Sequence, residues 1–135
     1  MTATELMIGD CVIAFIDEKH YGKVISLSEN CIKFREDETD IVADVAYESL
    51  YPIPITPEIL EKNGFERCED SILYIWKFSQ LRLGSMSCFK TANKRWNFDI
   101  LGKYLSPIKV RGDFDYVHEL QHALRLCKID KEIVL

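Results

Sequence analysis

The sequence has no long hydrophobic run, no paired cysteines and only three histidines, and each shortage narrows what the chain can be. Its uninterrupted apolar stretches fall well short of the ~20 residues that a membrane-spanning helix needs. The opening "MTATELMIGDCVIAF" carries Glu5 and Asp10 and no basic segment ahead of its short apolar run, which is not the pattern of a secretory leader. The expected compartment is therefore the cytoplasm, with no membrane contact. The cysteines, at positions 11, 31, 68, 88 and 127, are odd in number, scattered and never in a C-x-x-C pair. They read as small buried apolar residues rather than as a disulfide framework. A Gly-rich phosphate loop, a G-x-S-x-G elbow and a dinucleotide fingerprint are all missing, so no cofactor is expected. The acidic stretch "REDETD" (35–40) lacks the ligand alternation and central Gly of a calcium loop, and reads as solvated.

What is there suffices for a real core. The 135 residues are 47% hydrophobic and include two Trp, six Tyr and seven Phe, enough to fold without disulfide staples. The net charge is −5, so there is no general attraction to nucleic acid, but the charge is unevenly spread. Residues 1–70 hold six Lys/Arg against sixteen Asp/Glu, whereas residues 77–111 hold eight Lys/Arg against Asp99 alone. That asymmetry fits either a binding surface or two lobes of opposite charge that attract each other.

The first half reads as short strands at about ten-residue intervals: "DCVIAFI" (10–16), "YGKVISL" (21–27), "CIKF" (31–34) and "IVADV" (41–45), with polar turns between them. The order Gly-Asp-x-Val, then Gly-Lys-Val-Ile, resembles SH3-like or Tudor-like small barrels. In "YPIPITPEILEKNGFE" (51–66), Pro52 and Pro54 force extended backbone. Thr56 caps a helix that begins at Pro57, has Glu58 in its first turn and stops at Asn63-Gly64. Beyond it, "SILYIWKF" (71–78), "QLRLGSMSCF" (80–89) and "RWNFDIL" (95–101) read as strands. A last helix is expected from about Phe114 to Cys127, and "EIVL" is placed as an edge strand. The expected fold class is α+β. A small SH3-like β-barrel or rolled sheet over residues 1–54 precedes a helix, an antiparallel three- to four-stranded meander and a helix over 55–135. The two lobes are expected to pack as one compact unit.

The one catalytic-looking stretch is "HELQH" (118–122), which has the H-E-x-x-H spacing of a zinc metalloprotease helix. Four residues apart, His118 and His122 share a helix face and can bind one metal, with Glu119 as general base for the metal-bound water. A catalytic site needs a third ligand. Arg125 and Lys128 stand three and six residues past His122, where the longer motif has Gly and His. Asp130 and Glu132 sit in a short tail, and His20 lies in a turn of the first half. On a helical wheel Val117, Leu120, Leu124 and Cys127 form one apolar stripe, with His118, Gln121, His122 and Arg125 opposite it. The bland reading is that these four face water.

Three stretches, "ELMIGDCV" (5–12), "PIPITPEILEKNGF" (52–65) and "YVHELQHAL" (116–124), together resemble a family of short uncharacterised proteins from gut Bacteroidetes and their mobile elements. Members of that family look like "ELRIGN-x-V", "PIPLT-x-E-x-L-x-x-x-GF" and "YVHELQNLYFAL". The resemblance implies a shared architecture and carries no activity with it. It also implies that a zinc pair is not a family feature, because Asn stands in the family where this chain has His122.

The leading functional expectation is a non-enzymatic module that binds a protein partner. A second is nucleic-acid binding through the basic segment, with Lys90, Lys94, Arg95 and Lys103 neutralising phosphates near Trp96, Phe98 and Tyr104. Against it, Trp96, Phe98 and Ile100 share one strand face, the usual mark of core. A zinc-dependent hydrolase using His118, Glu119 and His122 is the third.

Overall fold

The computed structural model describes residues 1–68, 75–80, 84–91, 93–101 and 109–135. Over these residues the chain is α+β, with ten strands in two antiparallel five-stranded sheets and two α-helices. It divides into two compact units, Met1–Ile53 and Pro54–Leu135.

Unit 1 contains β1 (Cys11–Phe15), β2 (Lys19–Leu27), β3 (Cys31–Glu36), β4 (Val42–Ala46), a 3₁₀ turn (Tyr47–Ser49) and β5 (Leu50–Pro52). The strand order is β4-β3-β2-β1-β5. Strand alternation sends Val12, Ala14, Val24, Ile32, Phe34, Val45 and Leu50 into one buried cluster with Leu6. The motif "GD" sets the entry to β1. Gly9 takes a positive φ of 90°, and the buried Asp10 carboxylate accepts the Met7 amide at 2.7 Å. Gly22 has a different constraint. A Cβ there would lie 2.1 Å from the Arg35 carbonyl oxygen and 2.6 Å from the Phe34 ring, so only glycine lets β2 approach β3 this closely.

Of the barrel or rolled sheet expected for this half, the structure shows an open five-stranded antiparallel sheet: among the described residues no ladder joins β4 to β5. β5 is three residues long and ends in Pro52, which has no N–H to offer a further neighbour.

Unit 2 contains α1 (Pro57–Lys62), β6 (Glu66–Cys68), β7 (Ile75–Gln80), β8 (Gly84–Lys90), β9 (Trp96–Leu101), β10 (Lys109–Phe114) and α2 (Val117–Leu126), with sheet order β10-β9-β8-β7-β6. Local chemistry explains α1. Thr56 Oγ1 accepts the Ile59 amide at 3.3 Å, and Pro57 opens the first turn. At its end Gly64 has φ 83°. Phe65 N–H then bonds Leu60 O and Gly64 N–H bonds Glu61 O, the paired closure of a Schellman motif. On β8 and β9, Met86, Cys88, Trp96, Phe98 and Ile100 point to the core, while Ser87, Phe89, Asn97 and Asp99 point away.

Three expectations for this half need correction. The meander has five strands, not three or four. β6 is too short and polar to announce itself, and β10 carries Gly112 and Asp113, poor strand formers that pairing with β9 overrides. The last helix starts at Val117 rather than Phe114, because Phe114 is still paired with Trp96 in the sheet. "EIVL" is not a strand. Its Ile133 is buried, and the backbone of Val134 pairs with a side chain: Asn63 Nδ2 donates to Val134 O at 2.7 Å and Val134 N–H donates to Asn63 Oδ1 at 2.9 Å. The tail is thus anchored to the end of α1.

Candidate functional site: an aromatic face on the first sheet

The HELQH residues lie on the first turns of α2, but not as a free metal-binding pair. Glu119 Oε2 accepts the backbone N–H groups of Asp115 at 2.8 Å and Tyr116 at 3.1 Å, so this carboxylate caps the helix start. His118 is 7% exposed, contrary to the water-facing role expected of it, and Gln121 is buried with it. The reason is local cover. The Tyr116 ring lies nearly parallel to the His118 ring at 6.0 Å, and the His122 ring meets it edge-on at 5.8 Å. His122 is half-buried, while Arg125 does face water. Among the described residues no group of three or more His, Cys, Asp or Glu side chains converges as a metal site.

The basic segment is also spent largely on the fold. Trp96 is 4% exposed, and its indole N–H donates to Ile55 O at 2.9 Å. Phe98 is fully buried between Phe65 and Phe114. Lys90 is exposed, with its ammonium 5.2 Å from the Trp96 ring centroid. Lys94 is exposed in the β8–β9 turn with φ 63°. Arg95 donates through Nε to Asp115 at 2.8 Å and also reaches Asp113, so its charge is met by two carboxylates. Lys103 and Tyr104 lie outside the described residues. The outward face of this sheet forms an open cleft of about 510 Å³ lined by Ser87, Phe89, Asn97, Asp99 and Arg111. Three of its polar side chains are paired. Arg111 binds Asp99 at 2.9 Å, and Asn97 donates to Asp113 at 2.7 Å. That pattern suits a solvated sheet face.

The thiols offer no nucleophile in the cores. Burial pushes the Cys88 thiol up to about 12 and raises that of Cys127. Among the described residues no disulfide joins any of the five cysteines.

The surface that does stand out belongs to unit 1. β1 is apolar on both faces: Val12 and Ala14 enter the core, whereas Ile13 and Phe15 point the other way. The register sets Tyr51 on one side of Ile13 and Tyr21 on the other, and sets Phe15 opposite Lys19. Phe15 and Tyr51 meet edge-to-face with centroids 5.3 Å apart, and the Lys19 ammonium lies 4.7 Å from the Tyr21 ring centroid. The three rings remain 48%, 49% and 41% exposed for Phe15, Tyr51 and Tyr21. Phe15 and Tyr51 touch, while Tyr21 lies on the far side of Ile13, itself only 6% exposed. Half-exposed aromatic rings sharing one sheet face suit an interaction surface, because aromatic area is costly to leave in water.

Sequence reasoning missed this face. The available signal was "CVIAF", a strand apolar at every position, whose second face must find cover beyond its own core. Only the register shows that two tyrosines from other strands join it.

Beside it lies a second polar cluster. His20 Nδ1 is 2.5 Å from Glu36 Oε1, and His20 Nε2 is 3.4 Å from Asp17 Oδ1, while Thr39 donates to the other Glu36 oxygen. The Glu36 carboxylate, then that of Asp17, raise the His20 imidazole above its ordinary value. In turn the Thr39 hydroxyl and His20 hold Glu36 low, and His20 holds Asp17 low. The cluster ties the start of β2 to the end of β3, and serves as a clamp under the hairpin that carries Lys19 and Tyr21.

Among the described residues no helix is long and apolar enough to cross a membrane. Comparisons of the chain with protein-family models, with curated proteins and with solved structures find no match.

Proposed function

We propose that this chain is a non-enzymatic, cytoplasmic binding module whose partner is a protein, and that it docks through the Phe15–Tyr21–Tyr51 face. The observation that carries the reading is that face: three half-exposed rings placed by backbone register on a packed sheet. The strand order β4-β3-β2-β1-β5, with a 3₁₀ turn just before β5, supports treating unit 1 as a relative of SH3-like small sheets, and the three motif stretches support a place in the Bacteroidetes family they resemble. Fold likeness alone does not assign a partner. The nucleic-acid alternative loses its stacking platform, since Trp96 and Phe98 are core and Arg95 is paired. The zinc alternative loses its free base, since Glu119 caps α2.

The test is affinity capture from the native host with the wild-type chain and a Phe15→Ser/Tyr51→Ser double variant. A protein enriched by the first and lost with the second supports the reading. Equal enrichment by both removes the aromatic face from it. A salt-dependent gel shift and metal analysis of untagged protein check the two alternatives in the same preparation.

A further inference from the structure

We infer that the aromatic face takes an extended, lysine- or arginine-bearing segment of its protein partner, with the cationic side chain seated on the rings. The inference rests on the docking reading above and adds the chemistry of the occupant. Three features of unit 1 select it.

The first is an internal precedent. The chain's own Lys19 already places an ammonium 4.7 Å from the Tyr21 ring centroid, so the electron-rich ring faces here are accessible to a cation in this backbone geometry. Phe15 and Tyr51 meet edge-to-face, so one ring turns an edge and the other a face to its neighbour, and both rings stay about half exposed.

The second feature is charge. Residues 1–53 hold eleven Asp/Glu against four Lys/Arg. Several of these carboxylates border the rings. Glu18 immediately precedes Lys19, and the Asp37 amide donates to Tyr21 O at 3.0 Å, which brings Asp37 and then Glu38 alongside Tyr21. All three are exposed. Asp17 and Glu36 each bond His20, and the exposed Glu18, Asp37 and Glu38 carboxylates add negative charge that attracts a cation and repels an acidic segment.

The third feature is span. Tyr51 and Tyr21 stand two strand spacings apart across β5, β1 and β2, about 10 Å. Three residues of extended chain cover that distance. In a polyproline II segment residues i and i+3 lie about 9 Å apart on the same side, so such a segment lying across the strands meets both tyrosines with one such pair.

The experiment is an NMR titration of the full chain, read at the Phe15, Tyr21 and Tyr51 ring signals, with three eight-residue probes: alternating Lys-Pro, Gln-Pro and Glu-Pro. Proline holds each probe extended, so the probes differ chiefly in charge, and Gln-Pro and Glu-Pro are matched in size. The Lys-Pro probe is expected to shift all three rings, more weakly as salt rises, and the Glu-Pro probe to leave them unmoved. Tyr21→Leu keeps apolar bulk without the ring and should weaken Lys-Pro binding about two- to fivefold, the range of an exposed cation–π contact. Lys19→Ala frees the Tyr21 face and should strengthen it by a similar factor. A Gln-Pro probe that moves the rings as strongly as Lys-Pro overturns the cationic occupant, yet leaves the docking face standing. Shifts confined to backbone near the carboxylates, unchanged by Tyr21→Leu, also overturn it, as does silence of the rings to every probe. The docking reading itself falls only with the Phe15→Ser/Tyr51→Ser capture, so the two failures are distinguishable.

Discussion

Replacing Asn63 by Ala should release the C-terminal segment of unit 2, and the structure says by how much. The buried Asn63 side chain makes three hydrogen bonds: Nδ2 to Ile59 O at 2.8 Å, Nδ2 to Val134 O at 2.7 Å, and Oδ1 from Val134 N–H at 2.9 Å. Ile59 O keeps a second donor, the Asn63 backbone N–H, so its loss is small. The two bonds to Val134 have no such substitute. At about 1 kcal/mol net for each, their removal costs about 2 kcal/mol while the tail stays in place. If the tail also leaves, Ile133, now 2% exposed, returns to water and adds about 2 kcal/mol more. The expected loss is therefore about 2–4 kcal/mol, read by urea unfolding, with faster exchange of the Val134 amide hydrogen as the local signature. Asn63→Asp should be at least as harmful near neutral pH, because a carboxylate oxygen then faces two carbonyls, and should recover partly in acid as the carboxyl regains a donor. A change below about 0.5 kcal/mol in Asn63→Ala, with Val134 exchange unaltered, refutes the anchoring argument.

Three further outcomes follow from other contacts. Gly22→Ala puts a methyl 2.1 Å from a backbone oxygen, which no rotamer change relieves. It should cost about 3 kcal/mol, the upper end of ordinary overpacking, measured by thermal or urea unfolding. Glu119→Ala should lose about 1–2 kcal/mol by uncapping α2, while Glu119→Gln, which can still accept both amides, should lose much less. Equal losses in the two variants would contradict the capping role. Because the His20 pKa is raised in the folded state, its contribution is full below the unfolded value of about 6.5 and fades as pH rises through the folded value. Glu36 and Asp17, held low, contribute in the opposite sense: their share is full above their ordinary carboxylate range and is lost as pH falls through the folded values. Thermal unfolding across pH should thus show a plateau bounded on both sides, and His20→Gln should flatten its alkaline shoulder. An unchanged shoulder counts against the clamp.

What the sequence determined by itself is the structure whose chemistry is local. Thr56, Pro57, Asn63 and Gly64 specify α1 from cap to stop, since each acts on backbone within a few residues. The alternation of Trp96, Phe98 and Ile100 puts them on one strand face for the same reason, since the two-residue period of a strand belongs to the chain. Only their burial shows that this face is core and not a stacking platform. The stripe Val117, Leu120, Leu124 and Cys127 likewise marks the buried side of α2.

Tertiary structure decided the rest, because it depends on residues far apart in the chain. β10 is a strand because β9 lies beside it, despite Gly112 and Asp113. His118 sits on the polar side of the wheel yet is buried, because Tyr116 stacks over it and His122 packs against it. Asn63 meets Val134 across 71 positions, a pairing that no local pattern encodes. The candidate site is of the same kind. Phe15, Tyr21 and Tyr51 are three unremarkable aromatics until the β2-β1-β5 register aligns them around Ile13, and pairing across strands is a long-range choice made by the whole sheet. The H-E-x-x-H letters are the converse case. Their spacing was visible at once, but the role of Glu119 was settled by where its carboxylate finds its donors, at the amides of Asp115 and Tyr116.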